Sequence, residues 1–323
     1  MRKLTFIFAL ILTASVFLAG CGSSSSETEK DDHKLTIYTT VYPLQYFTEQ
    51  IGGEYVNVSS VYPAGVDEHT FEPTQRDIIN IAEADLFYYI GYNLEGFVTN
   101  AEKTLKNENV EMIAIGEGVH VGEEAHEHEE EGHNHEEEAD HEHDHDHDHG
   151  SVDPHLWIDP VYAKEMAELI KDSLSEKQPE QSDIFEKNYQ ALAEKLDKLN
   201  VEYMQTTEKT KHSEFLVSHA AFGYWTSRYG VEQISISGIS TSEEPTQKSL
   251  QKLVDTAKEH DLTYILVEQN VSSKLTDVIK KEANLTALPI HNLATLTQDD
   301  IDENRDYFSI MEDNLQSLKK ALN

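Results

Sequence analysis

Cysteine is almost absent: Cys21 is the only one in 323 residues. One cysteine can form no internal disulfide and no multi-cysteine metal site. Positive charge is scarce as well. Only 25 Lys and Arg stand against 61 Asp and Glu, a formal net charge of −36 at pH 7. Such a surface repels polyanions and gathers cations, and no basic patch interrupts it, so a nucleic-acid partner is excluded. The stretch from Glu123 to Asp148 has no Lys or Arg at all and carries 14 acids, which makes it the strongest cation attractor in the chain.

What is present begins with a targeting signal. Met1-Arg2-Lys3 is positive, Leu4 to Gly20 is nearly all apolar, and Leu18-Ala19-Gly20-Cys21 follows. This is the pattern of an export signal, and it is marginal as a permanent span, which needs about 20 apolar residues. Leu-Ala-Gly-Cys resembles a bacterial lipobox, whose cysteine becomes the lipidated first residue of the mature chain. The expectation is a signal peptide over 1–20 and a flexible Ser-rich tether over 21–33. The mature protein would be extracytoplasmic and held to the cell membrane by lipid on Cys21.

From Leu35 the pattern alternates. Strands are expected at Leu35–Val41, Val56–Tyr62, Leu86–Gly91 and Val110–Ile115, with helices at Tyr42–Gln50, Thr74–Ala84 and Leu94–Leu105 between them. Strand–helix–strand spacing of this kind implies right-handed crossovers and a mainly parallel sheet. After a polar insertion, two amphipathic helices are expected, Val161–Leu174 and one from Pro179 to about Thr207. Alternation then resumes to a final helix at Tyr307–Leu322. The fold class is α/β: two lobes, each with a mainly parallel four-stranded sheet, joined by a long helix. The expected divisions are an N-terminal lobe at 34–158, a helical connector at 159–210 and a C-terminal lobe at 211–323.

The insertion, placed at 117–152, is rich in acids, His and Gly, and too poor in apolar residues to order itself. His120 to His149 include ten of the chain's 17 histidines. His126, His128, His133, His135, His141, His143, His145, His147 and His149 are read as a loose accessory metal collector. "HEHDH" at His141–His145 fits the metalloprotease pattern only by chance, since that pattern needs a stable helix.

Three other histidines have distinctive settings. His69 follows the second strand in "YPAGVDEHTFEPTQRD"; His155 sits in "DPHLWIDP"; His219 ends the first strand of the second lobe in "LVSHAAFGYW". Ligands of open α/β sheets bind beyond the carboxyl ends of strands, where His69 and His219 lie. Three neutral imidazoles suit Zn²⁺, whereas Mn²⁺ favours oxygen donors. Taken singly, each histidine has a structural reading, and Trp157 and Phe222 read as core aromatics. Asp159 reads as a helix cap with Pro160 in the first turn.

These three segments together resemble the metal-binding solute-binding proteins of bacterial ABC transporters. The lipobox and the His-rich insertion before "DPH" fit the zinc-specific branch. The resemblance runs from Leu35 to Leu322. It implies His69, His155 and His219 as zinc ligands between two lobes, and delivery of the ion to an ABC permease by a monomer that is not an enzyme. Many relatives add a carboxylate where Ala294 stands here, so the fourth ligand is expected to be water, then Glu68; Glu268, His291, Asp299 and Asp300 stand unranked. Alternatives are a manganese or broad divalent-metal carrier, and a secreted zinc hydrolase, although no motif supplies a base or substrate pocket.

Overall fold

The computed structural model describes residues 34–122, 152–240, 246–268 and 274–323. The leader, the lipidation site Cys21, the tether and the accessory histidines from His126 to His149 lie outside the described residues. The first lobe is built from β1 (Leu35–Thr39), α1 (Tyr42–Gly52), β2 (Val56–Ser60), α2 (Gln75–Ala82), β3 (Leu86–Tyr89), α3 (Val98–Leu105) and β4 (Glu111–Ala114). All strands are parallel, in the order β2-β1-β3-β4. The sequence LFYY of β3 is buried throughout, as expected of an inner strand covered on both faces.

The connector is α4 (Pro160–Lys177) followed by α5 (Ser182–Thr207). Asp159 caps α4 by accepting from the backbone N–H of Val161 at 2.8 Å, with Pro160 in the first turn. The 26 residues of α5 span about 39 Å at 1.5 Å per residue. Its apolar stripe of Phe185, Tyr189, Leu192, Leu196, Leu199 and Tyr203 is buried. The helix is tied to both lobes: Asn188 Nδ2 donates to the Ile51 carbonyl of α1, and Tyr203 Oη to the Met311 carbonyl near the C-terminus.

The second lobe repeats the first topology. Its elements are β5 (Glu214–His219), α6 (Tyr224–Tyr229), β6 (Glu232–Ser237), α7 (Gln247–Glu259), β7 (Tyr264–Glu268), α8 (Lys274–Glu282), β8 (Thr286–Ile290), α9 (Gln298–Asp302) and α10 (Tyr307–Ala321). The parallel order is β6-β5-β7-β8. Helix α10 returns to the first lobe. Tyr307 stacks on Tyr46 and meets Phe47 edge-on, with ring centroids at 6.2 and 5.1 Å. One hydrophobic core therefore runs from Leu35 to Leu322 through both lobes, and a smaller cluster of Leu216, Ile236, Val254, Ile265 and Ile279 lies apart from it. Among the described residues, no helix is long and apolar enough to cross a membrane.

Three expectations need correction. The insertion does not begin at 117: Gly116–Gly118 forms a 3-10 turn and Val119 is buried in the core. Helix α3 begins at Val98, not Leu94, because Tyr92 and Asn93 take left-handed backbone angles and the Glu95 carboxylate accepts the Ile90 and Gly91 N–H groups. Helix α9 was not expected; its signal is the capping box between Thr297 and Asp300.

Candidate metal centre

The centre lies where carboxyl ends of the strands face each other. His69 and Glu68 sit on the loop after β2. Asp67 Oδ1 accepts the His69 N–H at 2.9 Å, a local turn that sets the direction of the loop. His155 precedes the turn Leu156–Ile158, whose side chains are fully buried, so the histidine is carried on a fixed support. His219 is the last residue of β5, and Glu268 the last of β7. In the order β6-β5-β7-β8, β5 and β7 flank the point where the chain direction across the sheet switches, the usual ligand position of open α/β sheets.

The three imidazoles meet. Ring centroids of His69 and His155, of His69 and His219, and of His155 and His219 are 5.3, 5.3 and 5.0 Å apart. Glu68 joins them: one ligand atom from each of Glu68, His69, His155 and His219 lies within 4.8 Å of the others. No other such group of His, Cys, Asp or Glu occurs among the described residues. Two donors have no hydrogen-bond partner although they are buried, His69 Nε2 and His155 Nε2. A buried polar atom left unpaired is costly, and a cation held between these lone pairs would satisfy both. The donor set of three nitrogens and one oxygen fits Zn²⁺.

Supporting groups orient the donors. Asp153 Oδ1 accepts from His155 Nδ1 at 2.7 Å and from its backbone N–H at 3.0 Å. The proton is thereby placed on Nδ1, leaving Nε2 to face the centre. His219 Nδ1 faces Glu268 Oε2 at 3.4 Å, and its Nε2 lies 2.8 Å from the Ile239 carbonyl. Ser218 Oγ donates to Glu268 Oε1 at 3.1 Å.

Charge is distributed unevenly. Burial, followed by the neighbouring His155 and His219, lowers the His69 pKa to about 3, so this imidazole stays neutral. At His219 burial opposes the charge, but hydrogen bonding and attraction to Glu268, with the Ile239 carbonyl, raise the pKa to about 9. Burial raises Glu68 to about 8. At neutral pH and without metal, Glu68 and His219 therefore each hold a dissociable proton that a cation would displace.

Of the other residues considered from sequence, Glu268 contacts His219 as a support. His291 and Asp300 form their own pair, with His291 Nε2 3.2 Å from Asp300 Oδ2, and Asp299 is exposed. Ala294 is buried and contributes its carbonyl to the Tyr42 N–H. Sequence reasoning missed Asp153 and Asn292. The Asp-Pro-His spacing is a signal for the first; nothing local marks the second.

Residues 37–321 match the family described as zinc-uptake complex component A, periplasmic. The zinc-binding lipoprotein AdcA of Streptococcus pneumoniae is 35% identical over 334 residues, covering 99% of this chain; the chain spans 61% of that relative's length. The high-affinity zinc uptake system protein ZnuA of Bacillus subtilis is 36% identical over 320 residues, 97% of each chain. The crystal structure of the Zn(II)-bound ZnuA-like domain of Streptococcus pneumoniae AdcA superposes with a TM-score of 0.71 at 33% identity, covering 90% of this chain and 99% of that one. The chain belongs to the family of the zinc-uptake complex component A.

Proposed function

We propose that this protein captures Zn²⁺ outside the cytoplasmic membrane and hands it to an ABC-type importer, with His69, His155, His219 and Glu68 as the ligands. One observation carries this reading: three imidazoles and a carboxylate, far apart in sequence, converge with two buried Nε2 atoms unpaired. The names of the relatives, a high-affinity zinc uptake system protein and a zinc-binding lipoprotein, support zinc as the cargo. The nitrogen-rich donor set argues for zinc over manganese. Glu68 is proposed for the fourth position, over the water expected first, because its carboxylate lies among the three imidazoles.

The protein acts as a carrier, not an enzyme. It works as a monomer, anchored by lipid on Cys21, with an ABC permease as its partner. The histidines from His126 to His149, interleaved with acids that attract cations, form an accessory collector whose ions bind more weakly than at the buried centre. The test is a competition titration of the metal-free protein with zinc, together with assays of ester and peptide hydrolysis. One tight zinc and no turnover is the expected result. Zinc-dependent turnover would transfer the centre to a hydrolase.

A further inference from the structure

One polar side chain of the second lobe reaches the centre without being one of the four donors. Asn292 Nδ2 donates to Glu68 Oε1 at 2.9 Å, across 224 residues of sequence. The amide has one orientation available. Its Oδ1 accepts the Ala294 N–H at 3.0 Å, so its amino group has to face the carboxylate. The backbone around it is pinned as well: the Asn292 carbonyl accepts from Trp157 Nε1 at 2.6 Å, and the His291 N–H donates to Asn314 Oδ1 at 2.8 Å.

This segment lies along the loop that carries Glu68 and His69. Thr295 Oγ1 donates to the Val66 carbonyl at 3.0 Å, and the Gly65 N–H to the Leu296 carbonyl at 3.0 Å. Glu68 Oε1 is also the oxygen that lies 4.0 Å from His69 Nε2. A carboxylate oxygen has two acceptor sites, so one is occupied by Asn292 and the second is left facing the imidazoles.

We propose that Asn292 is a positioning residue of the metal centre, holding Glu68 Oε1 toward the three histidines. This rests on the reading of Glu68 as a zinc ligand. A neutral amide suits the task, because it orients the carboxyl group without placing a second positive charge beside the incoming cation. Donor and acceptor come from opposite lobes, so this hydrogen bond ties the second lobe to the loop that carries Glu68 and His69.

The test is a double-mutant cycle on the full chain, read as zinc affinity by competition titration. The variants are Asn292→Ser, Glu68→Ala and both together. Serine accepts the Ala294 N–H in the same local turn but is too short to reach Glu68. Asn292→Ala serves as a second donor-less variant if the serine protein does not fold. The expected result is at least about 10-fold weaker binding for Asn292→Ser, comparable with the loss of other groups that orient metal ligands. In the Glu68→Ala background the same change should alter affinity by less than about 2-fold, because the residue it acts through is gone. With cobalt(II) as probe, the visible bands of Asn292→Ser should move toward those of Glu68→Ala. Equal weakening in both backgrounds would overturn the proposal, as would no weakening where Glu68 is intact. If Glu68→Ala alone binds zinc like the wild type, the ligand reading of Glu68 fails first.

Discussion

His69 and His219 differ in charge although their rings are 5.3 Å apart. Burial and its imidazole neighbours keep His69 neutral, with a pKa near 3, whereas Glu268 keeps His219 an imidazolium up to about pH 9. With His219 and Glu68 as the proposed ligands, a zinc ion would have to displace the imidazolium proton of His219 and that of Glu68, whose pKa is about 8. Lowering the pH refills both groups with protons and therefore weakens binding. Zinc affinity should fall continuously from pH 9 to pH 6; a competition titration that is flat over this range contradicts imidazole and carboxylate ligation. At the same scale, Asp153→Ala should weaken zinc binding by about 10–100-fold, since it removes the acceptor that fixes the His155 tautomer. An unchanged affinity would show that His155 holds its orientation without Asp153. The three histidines were legible because each stands next to a strand end or a Pro-rich turn. Their supports were not, because Glu268 reaches His219 across the sheet from another strand and Asn292 reaches Glu68 from the other lobe.

Helix α4 owes its start to Asp159, and this one residue links an element boundary to the centre. Its carboxylate caps Val161, accepts from Arg228 Nε at 2.8 Å and follows the short turn that carries His155. Asp159→Ala removes the cap and a mostly buried ion-pair partner, and should cost about 3 kcal/mol of stability, measured by chemical denaturation of the metal-free protein. A loss below about 0.5 kcal/mol would mean that the helix start is set by packing alone. Most strands and helices were legible to within a few residues. The β-branched and aromatic runs of Leu35–Thr39 and Leu86–Tyr89 have no competing reading, and the stripe on α5 keeps a helical period from Phe185 to Tyr203. The misread boundary lies at Leu94, where apolar spacing suggested a helix but the Glu95 side chain folds back onto the Ile90 and Gly91 N–H groups. Tertiary hydrogen bonding of this kind leaves no periodic trace. The matching strand orders of the two lobes were equally hidden, because pairing order depends on which crossovers pack and not on local pattern.

The whole molecule joins a fixed centre inside a continuous core to a strongly acidic chain of net charge −36. These parts are separable on this account. Deleting Glu123–His149 should reduce the number of zinc ions bound per chain and leave one tight site, counted by metal analysis after dialysis. Loss of the tight site in that deletion would move the functional centre into the histidine run. The central claim is that His69, His155 and His219, drawn from both lobes and the segment between them, close on one zinc ion. The most direct measurement is a crystal structure of the zinc-loaded full chain with anomalous data on both sides of the zinc edge. The account predicts one dominant peak at about 2.0–2.1 Å from a ring nitrogen of each of the three histidines. A dominant peak elsewhere, with these three imidazoles unligated, would contradict it.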